Sequence, residues 1–180
     1  KVWGEGNGVE VRQEDPKSNF GLTRSSTSGQ SWDFFLVASY GQIIPQEILD
    51  LPTHGTLNIH PSLLPKYRGP SPLETAILNG DDQTGVTIIK LDAEMDHGPI
   101  LAQEPLNLRS GQEIELNDKY NFEQLRDKLA EIGAELLAKI LPDYLAGKIT
   151  PQAQDHDQAT YTKKFTKADG WLNPAHSTIV

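Results

Sequence analysis

The strongest constraint on this chain is an alternation. Short apolar runs, each too brief for a helix, are separated by segments carrying helix punctuation. Asp33-Phe34-Phe35-Leu36-Val37-Ala38 is apolar and partly aromatic or β-branched, and it reads as a buried parallel strand. Pro45 then opens a short helix over 46–51, because proline suits a first helical turn. Thr56-Leu57-Asn58-Ile59-His60 reads as a second strand, ended by Pro61. Residues 61–71 hold three prolines and a glycine, the composition of a structured loop. Pro72 to Asn79 reads as a helix closed by Gly80. Gly85 to Leu91 reads as a third strand, and Pro99 to Leu106 as a fourth that returns along it like a hairpin. This order predicts an α/β fold with a mainly parallel sheet flanked by helices. In such sheets ligands bind beyond the carboxyl ends of strands. That rule directs attention to the segments just after Ala38, His60 and Leu91.

A long amphipathic helix is expected from Asn121. Phe122, Leu125, Leu129, Ile132, Leu136 and Ile140 recur at spacings of three and four. Asn121 is a good N-cap with Gln124 as its box partner, and Pro142 is expected to end or kink the helix. The stretch 151–160 is polar, and the last part of the chain looks like a connection toward another module. The division expected is a catalytic domain over 1–150, incomplete at its N-terminus, and a linker over 151–180. The segment from Asp15 to Ser31 reads as a loop.

Composition excludes several function classes. The 180 residues carry 16 Lys and Arg against 25 Asp and Glu, a net charge of −9, which disfavours nucleic acid unless a local basic patch exists. No cysteine is present, which removes disulfides, thiolate metal sites and a thiol nucleophile. No apolar run is long enough to span a membrane. The opening residues, Lys1-Val2-Trp3-Gly4-Glu5-Gly6, lack the apolar core of a signal peptide, so the cytoplasm is the expected compartment.

Asn58 and His60 stand two apart on a strand and therefore share a face at its carboxyl end. Asn offers an amide donor and His a ring that titrates near neutrality. Asp96 lies beyond the third strand, and a carboxylate beside an imidazole can orient it or relay protons. Together they could perform acyl-type transfer, with Asn58 stabilising an oxyanion. Taken alone, Asn-x-His on a strand more often marks a structural polar pair, and a loop Asp beside Gly is usually a turn residue. His54, His60 and His97 match no zinc signature, so no metal is expected. His156 and His176 read as surface residues. Gly4-x-Gly6-x-Gly8 comes after no clear strand and is not read as a dinucleotide site.

The segment Asn58-Ile59-His60-Pro61-Ser62-Leu63-Leu64-Pro65-Lys66-Tyr67-Arg68-Gly69-Pro70-Ser71-Pro72 resembles the signature of the formyltransferases that use 10-formyltetrahydrofolate. Gly85 to Asp92, with Asp96-His97-Gly98-Pro99-Ile100-Leu101, resembles the second signature of that family. Val37-Ala38-Ser39-Tyr40-Gly41-Gln42-Ile43-Ile44-Pro45 also fits. The three blocks keep the family's order and separations, strongly from Asp33 to Leu106 and more weakly to Asp169-Gly170-Trp171.

The resemblance implies a Rossmann-like formyltransferase fold. The strand–helix–strand segment with which the family normally begins is expected to be missing from this stretch, and His97 stands where the family often has Thr. It implies catalytic roles for Asn58, His60 and Asp96, and no metal. It implies a folate pocket lined by Ser62, Leu63, Leu64 and Pro65, with backbone near Gln42, Ile43 and Ile44 meeting the pterin. Arg68 would help place the acceptor or equally brace the loop. The continuation Lys66 to Pro72 looks like the branch that formylates charged initiator methionyl-tRNA. The implied partners are that tRNA and the folate co-substrate. Alternatives are a nucleotide-linked amino sugar, glycinamide ribonucleotide, or an inactive folate-binding fragment.

Overall fold

The computed structural model describes residues 32–108 and 120–170. The Gly4-x-Gly6-x-Gly8 pattern, the 15–31 segment, Trp171 and His176 lie outside them. Strands β1 (Phe35–Ala38), β2 (Thr56–His60), β3 (Gln83–Lys90) and β4 (Ile100–Asn107) form one sheet in the order β1-β2-β3-β4. Helices α1 (Gln46–Leu49), α2 (Pro72–Leu78) and α3 (Phe122–Leu145) accompany it. The α/β architecture is as expected. The sheet among the described strands is mixed: β1 and β2 are parallel, whereas β2/β3 and β3/β4 are antiparallel. A direct β3–β4 return needs no crossover, so antiparallel pairing results from the short connection.

Alternation sorts the central strands into two faces. Leu57, Val86 and Ile88 join the core with Leu125, Leu129, Leu136, Leu137 and Tyr144 of α3. The intervening residues carry the polar positions, with Asn58 opposite Ile89 and His60 opposite Thr87 in register. The site therefore lies on the sheet face turned away from α3. Close approach of α3 is secured at Gly133, where an added Cβ would stand 2.7 Å from Ile59 Cγ2. β1 departs from expectation, because it is not buried: its residues alternate half-buried and exposed, and Leu36 is 45% exposed. Among the described strands it is an edge, paired only with β2.

The reciprocal Asn121–Gln124 capping box is present, closing the first turn of α3. Pro142 neither ends the helix nor stops its bonding, since α3 runs on to Leu145 and Ala146 N still donates to Pro142 O. A proline in the last turn removes only one donor, so termination falls to Gly147. That residue has φ +69°, with Gly147 N donating to Tyr144 O and Lys148 N to Asp143 O. These two bonds make a Schellman motif. Phe122, expected in the buried stripe, is 41% exposed, and Gly133 and Leu137 fill the face instead. No described helix is long and apolar enough to cross a membrane.

Leu129 is 2% exposed at the centre of this core. Leu129→Ala is expected to lower stability by about 2–5 kcal/mol, through lost transfer energy and a residual cavity. Urea denaturation measures it, and a loss below about 1 kcal/mol would contradict the packing of α3 on β3.

After α3 the chain lies back along the domain. Ile100 and Gln152 exchange both backbone bonds, and Arg68 bridges to Tyr161 in parallel. Arg68 N donates to Thr160 O and Thr162 N donates to Arg68 O. Thr160 Oγ1 accepts from Tyr67 N, and Thr162 Oγ1 from Ser71 N. The polar composition of 151–162 thus serves contacts with the Pro-rich loop.

Candidate active site

The site is built where β2 ends and the 61–71 loop begins. Asn58 is 9% exposed and His60 4% exposed, so both polar side chains need partners. Asn58 Nδ2 donates to Asp96 Oδ1 at 3.3 Å, across 38 residues of sequence. His60 Nδ1 lies 3.5 Å from the same oxygen. The other Asp96 oxygen accepts from Gly69 N at 2.8 Å. Asp96 is thereby held between the strand and the loop, and the three residues singled out from sequence do converge.

The ring of His60 has a defined polarity. Its Nε2 is 2.9 Å from Tyr67 O, and a carbonyl only accepts, so Nε2 carries a proton. Nδ1 is the nitrogen left to meet a reacting group. Among the described residues, two of the three non-glycine positions with positive φ frame this arrangement, Tyr67 at +64° and Asp96 at +48°. Such backbone is costly and persists only where surrounding contacts over-determine it.

Those contacts tie the loop down. Ser62 Oγ donates to Lys66 O, while Thr87 Oγ1 donates to Ser62 O and accepts from Leu64 N. Gln103 Nε2 donates to both Leu64 O and Thr87 Oγ1. Ser62 and Leu64 are buried and committed to shaping the loop, whereas Leu63 and Pro65 keep part of their surface. Leu63 lines a cavity of about 360 Å³ with Lys66, Tyr67, Asp81, Asp82, Gln83 and Thr84; it includes none of Asn58, His60 or Asp96. The Lys66 ammonium there bonds Asp81 at 2.8 Å.

Gln42, Ile43 and Ile44 come after β1, which is parallel to β2, so they leave the sheet at the same end as the loop after His60. Ile43 is 76% exposed. No described hydrogen bond joins these three residues to Asn58, His60 or Asp96.

Arg68 is 1% exposed and has no open face for an acceptor. Its Nε and Nη2 both donate to Gln154 Oε1, at 3.1 and 2.7 Å. Nη2 also donates to His156 Nδ1 and Nη1 to Tyr161 Oη. His156 must accept there, which puts its proton on Nε2. His156 is a surface residue, as expected, yet it stacks on His97 with centroids 4.1 Å apart and planes 5° from parallel. His97 Nδ1 is 2.7 Å from Asp92 Oδ2. Among the described residues no three His, Cys, Asp or Glu side chains are grouped to hold a metal.

Sequence reasoning missed Gln154, which is 5% exposed. Its Nε2 donates to the carbonyls of Asp96 and Gly98, both at 2.8 Å. The local signal was weak: a polar residue in an aperiodic stretch, whose partners lie 56 to 86 positions away.

The family described as formyl transferase matches residues 22–141. A methionyl-tRNA formyltransferase of Roseiflexus sp. (strain RS-1) is 49% identical over 150 residues, covering 79% of this chain and 42% of its own. The chain spans less than half the length of the curated relatives it matches. Among solved structures, methionyl-tRNA formyltransferase from Clostridium thermocellum has a TM-score of 0.57 at 24% identity, covering 79% of this chain and 56% of that one. An N-formyltransferase from Helicobacter canadensis, solved with folinic acid and dTDP-3-aminofucose, has a TM-score of 0.66 at 21% identity, covering 98% and 56%. At these identities both structures show a shared fold.

Proposed function

We propose, from the premise that this chain belongs to the formyl transferase family, that it transfers the formyl group of 10-formyltetrahydrofolate to the amine of charged initiator methionyl-tRNA in the cytoplasm. The observation that carries the reading is the convergence of Asn58, His60 and Asp96 at the carboxyl end of β2. The 49% identity to a named methionyl-tRNA enzyme supports the acceptor.

The amine attacks the formyl carbon, a C–N bond forms, and the bond from that carbon to the folate nitrogen breaks. Negative charge develops on the formyl oxygen as the carbon becomes tetrahedral. Asn58 Nδ2–H and His60, when its ring carries a second proton on Nδ1, point to one region and can both donate to that oxygen once they exchange Asp96 for substrate. Asp96 then sits beside the amine and takes its proton, which passes to the departing nitrogen. Holding the amine against the formyl carbon supplies much of the rate.

On the folate side, contact comes from Leu63, Pro65 and the Gln42–Ile44 backbone. Ser62 and Leu64 hold the loop's shape. Arg68 acts on the acceptor side indirectly, by bracing that loop. The division into a catalytic domain over 1–150 and a connecting segment over 151–180 belongs to the same proposal. The first part of that segment is held against the domain by Gln152, Thr160 and Thr162.

The test presents 10-formyltetrahydrofolate with methionyl-tRNA and, in parallel, a nucleotide-linked amino sugar. Formylation of the tRNA amine alone is expected. Formylation of the sugar alone would overturn the acceptor and leave the chemistry standing. If neither is formylated while folate binds, the chain is a binding fragment.

A further inference from the structure

We propose that Gln154 is a positioning residue that sets the Asp96 carboxylate against His60. The proposal rests on the catalytic role given to Asp96 above. A primary amide offers two protons and two acceptor lone pairs, and Gln154 has all four engaged. Its protons go to Asp96 O and Gly98 O, both at 2.8 Å. Its oxygen receives Nη2 and Nε of Arg68 at 2.7 and 3.1 Å. A buried amide satisfied so fully fixes distances among everything it touches.

Two of its partners are backbone carbonyls of the turn that carries the carboxylate. Asp96 has φ +48°, an uncommon conformation for a residue with a side chain. Gln154 pins the carbonyl of that residue and of Gly98, holding the turn from both sides. Arg68 precedes Gly69, whose N–H binds Asp96 Oδ2. One side chain therefore spans from the backbone of Asp96 to the loop that grips its carboxylate. Released, Asp96 can relax toward ordinary φ, and its Oδ1 leaves Asn58 Nδ2 and His60 Nδ1 together. A residue that only fastened the 151–162 segment would need the Arg68 contact but not the two carbonyls.

Gln154→Glu separates the two roles. The carboxylate still accepts from Arg68, but it has no proton for either carbonyl. In the 180-residue chain, the ring-nitrogen resonances of His60 are expected to shift in Gln154→Glu. They should stay in place in Tyr161→Phe, which removes an Arg68 partner remote from Asp96. In transfer assays Gln154→Glu should lower kcat by about 10²-fold, the effect of a misplaced reacting group, with KM for the folate unchanged. A folded Gln154→Glu with His60 resonances as in the wild type overturns the proposal. If that variant does not fold, the wild type decides. Side-chain amide protons of Gln154 that persist in deuterated water as long as the β3 backbone amides uphold it, and exchange at the rate of a free amide overturns it. The resonance and exchange readings need no turnover, so absent formyl transfer would count against the proposed function and not against this placement.

Discussion

His60→Ala is expected to lower kcat/KM for formyl transfer by about 10³-fold, combining a lost oxyanion donor with lost proton handling. The size reflects how the ring is used. Nε2 is spent on Tyr67 O, which orients the ring, so all chemistry passes through Nδ1. Alanine removes that nitrogen, and no neighbour replaces it: Asn58 Nδ2 is the one other donor on Asp96 Oδ1 among the described hydrogen bonds. Asn58→Ala should cost about 10²-fold, because one donor remains. Asp96→Asn keeps a polar group for Gly69 N but removes the charge, so it should lower kcat while leaving KM for the folate intact. Steady-state kinetics on variants whose melting is checked first would decide. A folded His60→Ala enzyme within about tenfold of the wild type would end the role given to the ring. A full-rate Asp96→Asn would do the same for the carboxylate.

The parts of this molecule differ in how far local sequence reports them. The side-by-side placement of Asn58 and His60 came from the strand period alone, and the carboxyl-end rule pointed to the edge where Asp96 meets them. The helix over Phe122–Leu145 was legible at its start, since the capping box is a local device. Strand direction was less so. The apolar run of β3 is buried on both faces whichever way it pairs, so composition could not separate a parallel from an antiparallel neighbour. Leu36 misled for a related reason: an apolar residue signals burial only when something covers its face. Arg68 and Gln154 were opaque, because their contact forms only after the 151–162 segment folds back. No local pattern reports such an encounter. The motif singled out Arg68 but could not show that its guanidinium faces inward.

Gly98→Ala is expected to cost about 4 kcal/mol or more, placing it among the exceptional single substitutions. An ideal Cβ at this position would stand 1.8 Å from Lys90 O and 3.0 Å from Lys90 C. Both are main-chain atoms, so no rotamer change relieves the overlap. Lys90 cannot retreat either, since its N–H donates to Pro99 O and Leu91 N donates to Thr56 O, tying this point to both neighbouring strands. The turn would have to open, and opening it carries away the Gly98 carbonyl that Gln154 holds. Gly80→Ala is the informative contrast. Gly80 has φ +61° but nothing within 4 Å of an added Cβ, so its cost is backbone strain alone, about 1–2 kcal/mol. Urea denaturation of the two variants side by side separates steric exclusion from backbone strain. Equal midpoints would mean that the 96–98 turn is not packed against β3. A much larger loss at Gly98 would mean that the close main-chain approach, two residues from Asp96, is what the glycine is there to allow.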